Sequence, residues 1–158
     1  EVTGLLLALA LAVPPARAVV FVVRHAERAD MKDDASLLSR KGRKRAQVLR
    51  AVLSGITLKA VYSTEYKRTQ ETAEPAAKSK GLTVTVTDSE KALELAAKLK
   101  ALPAEEDVLV VGHTDTIPDL MKGLGVPEPV EVPDAEFDNL WLVTPRPDAP
   151  PLLRRLKY

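Results

Sequence analysis

A three-layer α/β/α sandwich with a mostly parallel central sheet is the architecture predicted for this 158-residue chain, and three features point to it. Unbroken apolar runs recur, as in Val19-Val20-Phe21-Val22-Val23 and Val108-Leu109-Val110-Val111. Such runs suit strands covered on both faces, as parallel strands are. Segments with apolar residues at helical spacing lie between them, and alternating strands and helices are the pattern of α/β folds. The length fits one domain with a sizeable core, since 46% of the residues are hydrophobic.

The elements can be justified in order. The first strand stops at Arg24-His25. After a polar loop over 29–36, Ser39 is placed to cap a helix running to about Leu53 and ended by Gly55. Ala46, Leu49, Val52 and Leu53 give that helix its apolar stripe. A second short strand, Ala60-Val61-Tyr62, precedes Ser63-Thr64, which is expected to open a helix through Ala77. Residues 82–87 are rich in β-branched types and form the third strand, 89–102 an alanine-leucine helix closed by Pro103, and 107–111 the fourth strand. A helix follows His113, and 139–144 with 152–156 make a closing pair of strands across a proline-rich turn. Trp141 is expected in the core or sheet, where tryptophan contributes buried area.

Residues 1–18 form a separate unit in this reading, with the domain occupying 19–158. An apolar leucine-alanine stretch over 4–13, then Pro14-Pro15 and the small-x-small triplet Ala16-Arg17-Ala18, has the form of a secretory h-region and cleavage site. The stretch is shorter than the roughly 20 residues a membrane-spanning helix needs. A periplasmic or secreted location without a stable membrane span is therefore the expectation, a cytoplasmic one the alternative.

Charge and composition exclude several functions. Twenty-three Lys and Arg against 22 Asp and Glu leave a net charge of +1, so there is no general attraction to nucleic acid or anionic membrane. The basic cluster Arg40, Lys41, Arg43, Lys44 and Arg45 lacks interleaved aromatics and is expected to be a solvated helix face, with an added positive field around an anionic substrate as its other reading. Without cysteine there is no thiolate site, and two histidines without metal-type spacing do not suggest zinc. No metal and no cofactor are expected.

The two histidines, His25 and His113, each follow a valine-rich strand. Open α/β sheets bind ligands just outside the carboxyl ends of their strands. Arg24 stands directly before the first imidazole. In the segment from Ser63 to Thr69, Ser63 and a helix N-terminus would favour an anion, and Arg68, about one turn into the helix, could reach it with a planar fork of donors. Two imidazoles, two arginines and a helix N-terminus at one sheet edge suit a tetrahedral dianion beside a nitrogen nucleophile.

Arg24-His25-Ala26-Glu27, Ser63-Thr64-x-x-x-Arg68-Thr69 and Val111-Gly112-His113 resemble, in order and context, the three motifs of the histidine phosphatase superfamily, or phosphoglycerate mutase-like fold. The resemblance runs from about Val19 to Tyr158 and is to its small phosphatase-type members. It implies that His25 takes the phosphoryl group, that Arg24 and Arg68 clamp its oxygens, and that His113 completes the pocket. Ala26 stands where glycine is more usual. Asp115 brings a carboxylate near the second histidine, and the general acid is expected to be Asp88 or Glu90, after the third strand, or Asp115. The implied function is hydrolysis of a phosphate monoester on a phosphorylated small molecule. A protein phosphohistidine phosphatase acting on a phosphoprotein, a phosphosugar mutase and a non-catalytic phosphate-binding module are the other readings.

Overall fold

The computed structural model describes residues 17–158. The leader expected over 1–18 lies, apart from Arg17 and Ala18, outside the described residues. Ala18 is buried, and the amide of Val19 donates to Asp107 Oδ1 at 2.8 Å, so the chain is tied down just before its first strand. Among the described residues no helix is long and apolar enough to cross a membrane.

Six strands form one sheet: β1 (Val20–Arg24), β2 (Leu58–Thr64), β3 (Val84–Thr87), β4 (Asp107–Gly112), β5 (Asn139–Thr144) and β6 (Leu152–Lys157). Four helices connect them: α1 (Arg40–Val52), α2 (Lys67–Ser79), α3 (Ala92–Lys100) and α4 (Thr116–Gly123). The strand order is β3-β2-β4-β1-β5-β6. The pairings β3·β2, β2·β4 and β4·β1 are parallel, whereas β5 and β6 add on antiparallel, so the sheet is mostly parallel as its sequence suggested.

Alternation along β1 builds both core layers. Val20 and Val22 pack with Ala96 and Leu99 of α3 and Ile117, Leu120 and Met121 of α4. Phe21 and Val23 pack on the other face with Leu49 of α1 and Ala73, Ala76 and Ala77 of α2. Period-two side-chain geometry sends successive residues of one strand into opposite layers, which is why the strand reads as an unbroken apolar run. Trp141 is buried in the α3/α4 layer, a core residue as expected.

Local signals explain some helix starts. Ser39 caps α1, its Oγ accepting from the amide of Gly42 at 3.0 Å. Gly42 is required by close approach, since a Cβ there would lie 2.2 Å from the carbonyl oxygen of Glu27. The helix expected over 89–102 divides into a single 3-10 turn at Ser89–Lys91, capped by Asp88, and α3. The largest correction concerns α2. Ser63 and Thr64 do not open it; they stay in β2, paired with Val86 and Thr87 of β3, and the helix begins at Lys67 after Tyr66. Their backbone groups are used by the sheet, which wins over local capping preference. Arg68 is consequently the second residue of α2, not a full turn in.

Candidate active site

Strand register brings the two histidines together. Arg24 of β1 pairs with Gly112 of β4, and the amide of His25 donates to the Gly112 carbonyl at 2.9 Å, so the residues that follow each strand emerge side by side. The rings of His25 and His113 lie edge to face with centroids 5.3 Å apart. A tight turn after β4 aims the second ring: the amide of His113 donates to Thr116 Oγ1 at 2.9 Å, and a Cβ at Gly112 would lie only 2.8 Å from that oxygen. Only glycine leaves room for this strand-to-helix corner.

An open cleft of about 450 Å³ sits over the two rings, lined by Arg24, Arg28 and Arg68 among other residues. A larger cavity of about 580 Å³ lies at the opposite end of the strands, around Ala18, Pro145 and Pro151, and no histidine or hydroxyl side chain lines it. The chemistry therefore belongs to the smaller cleft.

His25 Nδ1 lies 2.7 Å from the carbonyl oxygen of Ala26. A carbonyl only accepts, so Nδ1 carries the proton and Nε2 of the neutral ring is left with its lone pair. Burial pushes the His25 imidazole down to about 3, against the smaller opposing effect of that carbonyl, and nearby His113, Arg24 and Arg68 add to the depression. His113 is pushed down to about 4, by burial first and then by Arg68, with Asp115 and Glu65 pulling the other way. Both rings are neutral near pH 7, the state a nitrogen nucleophile requires.

These depressions carry a stability consequence. Above pH 6.5 both rings are neutral whether the chain is folded or not. As pH falls below 6.5 the unfolded chain binds protons that the native rings refuse, so stability drops between pH 6.5 and about 4, and for His25 on toward about 3. Urea unfolding midpoints measured from pH 7.5 to 4.5 are expected to decline in the wild type and to decline less in a His25→Asn/His113→Asn protein. Equal slopes would contradict the buried neutral pair.

Arg24 and Arg68 are only 5% and 7% exposed, yet the Nε of each has no hydrogen-bond partner. Arg24 is anchored through Nη1 to the carbonyls of Pro133, Asp134 and Glu136 at 3.2, 2.8 and 3.1 Å, and it stacks 4.1 Å above the Phe137 ring. Arg68 donates through Nη1 to the Asp34 carbonyl and lies 4.4 Å over the ring of Tyr66. Burial, then neighbouring cations, push both guanidiniums below their ordinary value, with Asp134 opposing this at Arg24 and Asp34 at Arg68. Positive charge is thus concentrated at the cleft, an arrangement that favours an oxyanion.

Four predicted residues, Arg24, His25, Arg68 and His113, converge on the cleft, and Asp115 lines it as well. Ser63 does not reach it: the side chain is buried and its Oγ donates to the Thr64 carbonyl at 3.0 Å. Asp88 and Glu90 are also outside the lining, and Asp88 Oδ1 instead accepts from the amide of Glu90 at 2.9 Å. Glu65 accepts from the Ser89 amide and hydroxyl at 2.9 and 2.8 Å, which fixes the turn after β3 beside the cleft. None of the basic cluster in 40–45 lines the cleft. Arg45 pairs with both carboxylate oxygens of Glu27 at distances between 2.7 and 3.0 Å, clamping the segment after β1 to α1. Ala26 is fully buried and packs with Leu38 and Ala46.

Residues the sequence reading left without a role include Arg28, Asp34, Thr64, Asp134 and Phe137. Arg28 lies three positions after the first histidine and could have been singled out by charge; Phe137 and Asp134 come from a loop without a motif. Among the described residues no cluster of three or more His, Asp or Glu is placed to hold a metal ion.

Residues 20–91 match the family model of the histidine phosphatase superfamily (branch 1), a segment that contains the first two motifs. No curated protein matches the chain. Among solved structures, the protein histidine phosphatase SixA complexed with tungstate is similar at a TM-score of 0.72 and 20% identity, over 88% of this chain and 96% of that one. A candidate α-ribazole-5′-P phosphatase from Escherichia coli gives 0.73 and 16%, over 90% and 97%. A mycobacterial glucosyl-3-phosphoglycerate phosphatase gives 0.67 and 15%, over 89% and 98%. At these identities the likeness is one of fold, and it extends past the matched segment over most of the chain. Two motifs thus lie inside the segment that matches the histidine phosphatase superfamily model, and the third follows the adjacent strand of a domain that has the phosphoglycerate mutase-like fold.

Proposed function

We propose that the protein is a phosphatase that hydrolyses phosphate monoesters through a phosphohistidine on Nε2 of His25, without a metal. The observation that carries this reading is the convergence of Arg24, Arg68 and His113 on one cleft with His25, whose Nε2 keeps its lone pair. The His25 lone pair attacks phosphorus while the bond to the ester oxygen breaks, and that oxygen takes a proton as it leaves. Water then attacks phosphorus, the P–N bond breaks, and its electron pair returns to Nε2. Dividing one displacement into two lowers each barrier, and the arginines stabilise charge on the transferring oxygens in both halves.

Asp115 is the proton donor this reading favours. It lines the cleft beside His113, whereas Asp88 and Glu90 do not. One Asp115 oxygen accepts from the Thr116 amide at 2.9 Å, which fixes the carboxylate at the start of α4. Asp115→Asn is expected to slow alkyl phosphates by about 100- to 10,000-fold, the usual contribution of general acid catalysis. It is expected to leave p-nitrophenyl phosphate nearly unaffected, because p-nitrophenolate departs without help. Equal losses on both esters would pass the role to water or His113.

A second reading is favoured by the open form of the cleft, which admits a phosphoryl group carried on a protein side chain. A panel of p-nitrophenyl phosphate, alkyl and sugar phosphates and a phosphohistidine peptide tests both. Turnover of the esters is expected, preferential turnover of the peptide would select the second reading, and tight phosphate binding without turnover of any would reduce the protein to a binding module.

A further inference from the structure

Behind His113 runs a short chain of hydroxyls. His113 Nε2 lies 2.7 Å from Thr64 Oγ1, which lies 2.8 Å from Thr69 Oγ1. Thr69 Oγ1 in turn lies 2.7 Å from the carbonyl oxygen of Tyr66 and 3.1 Å from that of Thr64. Thr64 and Thr69 are buried, so no bulk water corrects a mismatch.

Counting protons leaves one consistent arrangement. Each hydroxyl has a single proton, and the carbonyls have none. The Thr69 proton must face a carbonyl, because an oxygen pair at 2.7 Å without a proton between them is repulsive. The contact between the two threonines then needs the Thr64 proton. Thr64 has nothing left to donate to the histidine, so the proton on the last contact belongs to the ring. The opposite direction, with Thr64 donating to Nε2, would leave the Thr69–Tyr66 contact without any proton.

We infer that Thr64 and Thr69 are positioning residues that hold His113 as the Nε2–H tautomer and leave Nδ1 as its unprotonated nitrogen. The depressed proton affinity of His113 agrees with a neutral ring, in which a tautomer is defined. The tautomer itself is independent of any activity; its kinetic effect rests on the phosphatase reading above. In the hydrolytic half of that reaction an unprotonated Nδ1 can take the proton that the attacking water gives up, and the wrong tautomer cannot offer it there. Fixing which nitrogen carries the proton is how hydrogen-bonded partners tune a functional histidine. Register places this device: Ser63 of β2 pairs with Val111 of β4, so Thr64 comes level with the end of β4, next to His113.

Long-range proton–nitrogen spectra of the ¹⁵N-labelled protein at pH 7 read the tautomer directly. The chain has only two histidines, so a His25→Asn spectrum assigns the remaining ring. The wild type is expected to show His113 protonated at Nε2. Thr64→Val, which keeps the volume and removes the acceptor, is expected to mix the tautomers and lower kcat on p-nitrophenyl phosphate by about 10- to 100-fold, the usual loss when a histidine's orienting partner is removed. KM should change much less, and Thr64→Ser should restore both spectrum and kcat. A wild-type His113 protonated at Nδ1 overturns the inference, even if Thr64→Val fails to fold. So does a folded Thr64→Val protein with an unchanged tautomer. Absence of turnover in the wild type, with the Nε2–H tautomer present, would count against the phosphatase reading alone.

Discussion

Turnover of p-nitrophenyl phosphate by a folded His25→Ala protein is expected to fall by at least about four orders of magnitude, because removing a covalent nucleophile removes the two-step route and leaves only binding and charge stabilisation. The substitution deletes a buried ring and its bond to the Ala26 carbonyl, and an unmet buried acceptor costs about 1 to 3 kcal/mol. A cooperative unfolding transition must therefore accompany the kinetic result. His25→Asn, which retains a side-chain donor near that carbonyl, is expected to be equally inactive and better folded. Wild-type rates in either folded protein would remove His25 from the mechanism.

Arg68→Ala is expected to cost about 2 to 4 kcal/mol in kcat/KM, the range for losing one donor to a developing oxyanion. Arg68→Lys should not restore it. The guanidinium is held from two directions, by the Asp34 carbonyl and the Tyr66 ring, and the residue lines the cleft. A lysine ammonium is a point charge on a flexible stem and cannot meet those demands with one planar fork. Steady-state kinetics of the two variants, checked for native folding, measure the effect. Near-wild-type kcat/KM for Arg68→Ala would leave this arginine as an anchor for the 29–36 loop.

Much of the fold was legible because its strands are buried on both faces. Valine runs ending at His25 and His113 marked two strand ends, and Ser39 and Gly55 marked the limits of α1 within a few residues. What local pattern could not supply was register and competition. Ser63 and Thr64 have good capping chemistry, but pairing with β3 and β4 holds them in the strand, which removed Ser63 from the cleft and moved the start of α2. Asp88 and Glu90 follow the right strand, yet the 3-10 turn that Asp88 caps keeps both from lining the cleft. Asp115 was legible by closeness to His113 in sequence. Glu27 and Arg45 lie 18 positions apart, and their pairing across two elements leaves no local trace. The same holds for Phe137 under Arg24, and for Thr64 behind His113, whose importance depends on which hydroxyl proton points where.

The phosphoenzyme tests the account most directly. Mixing the protein with an aryl phosphate, quenching in alkali within the first turnover and mapping the phosphoryl group by mass spectrometry and ³¹P NMR locates the covalent intermediate. Because the Ala26 carbonyl holds the proton on Nδ1, the expected product is a base-stable, acid-labile phosphate on Nε2 of His25, approaching one per chain when hydrolysis of the intermediate limits turnover. Sustained turnover with no phosphoryl group on His25 at any time, or with the group on another residue, would contradict it.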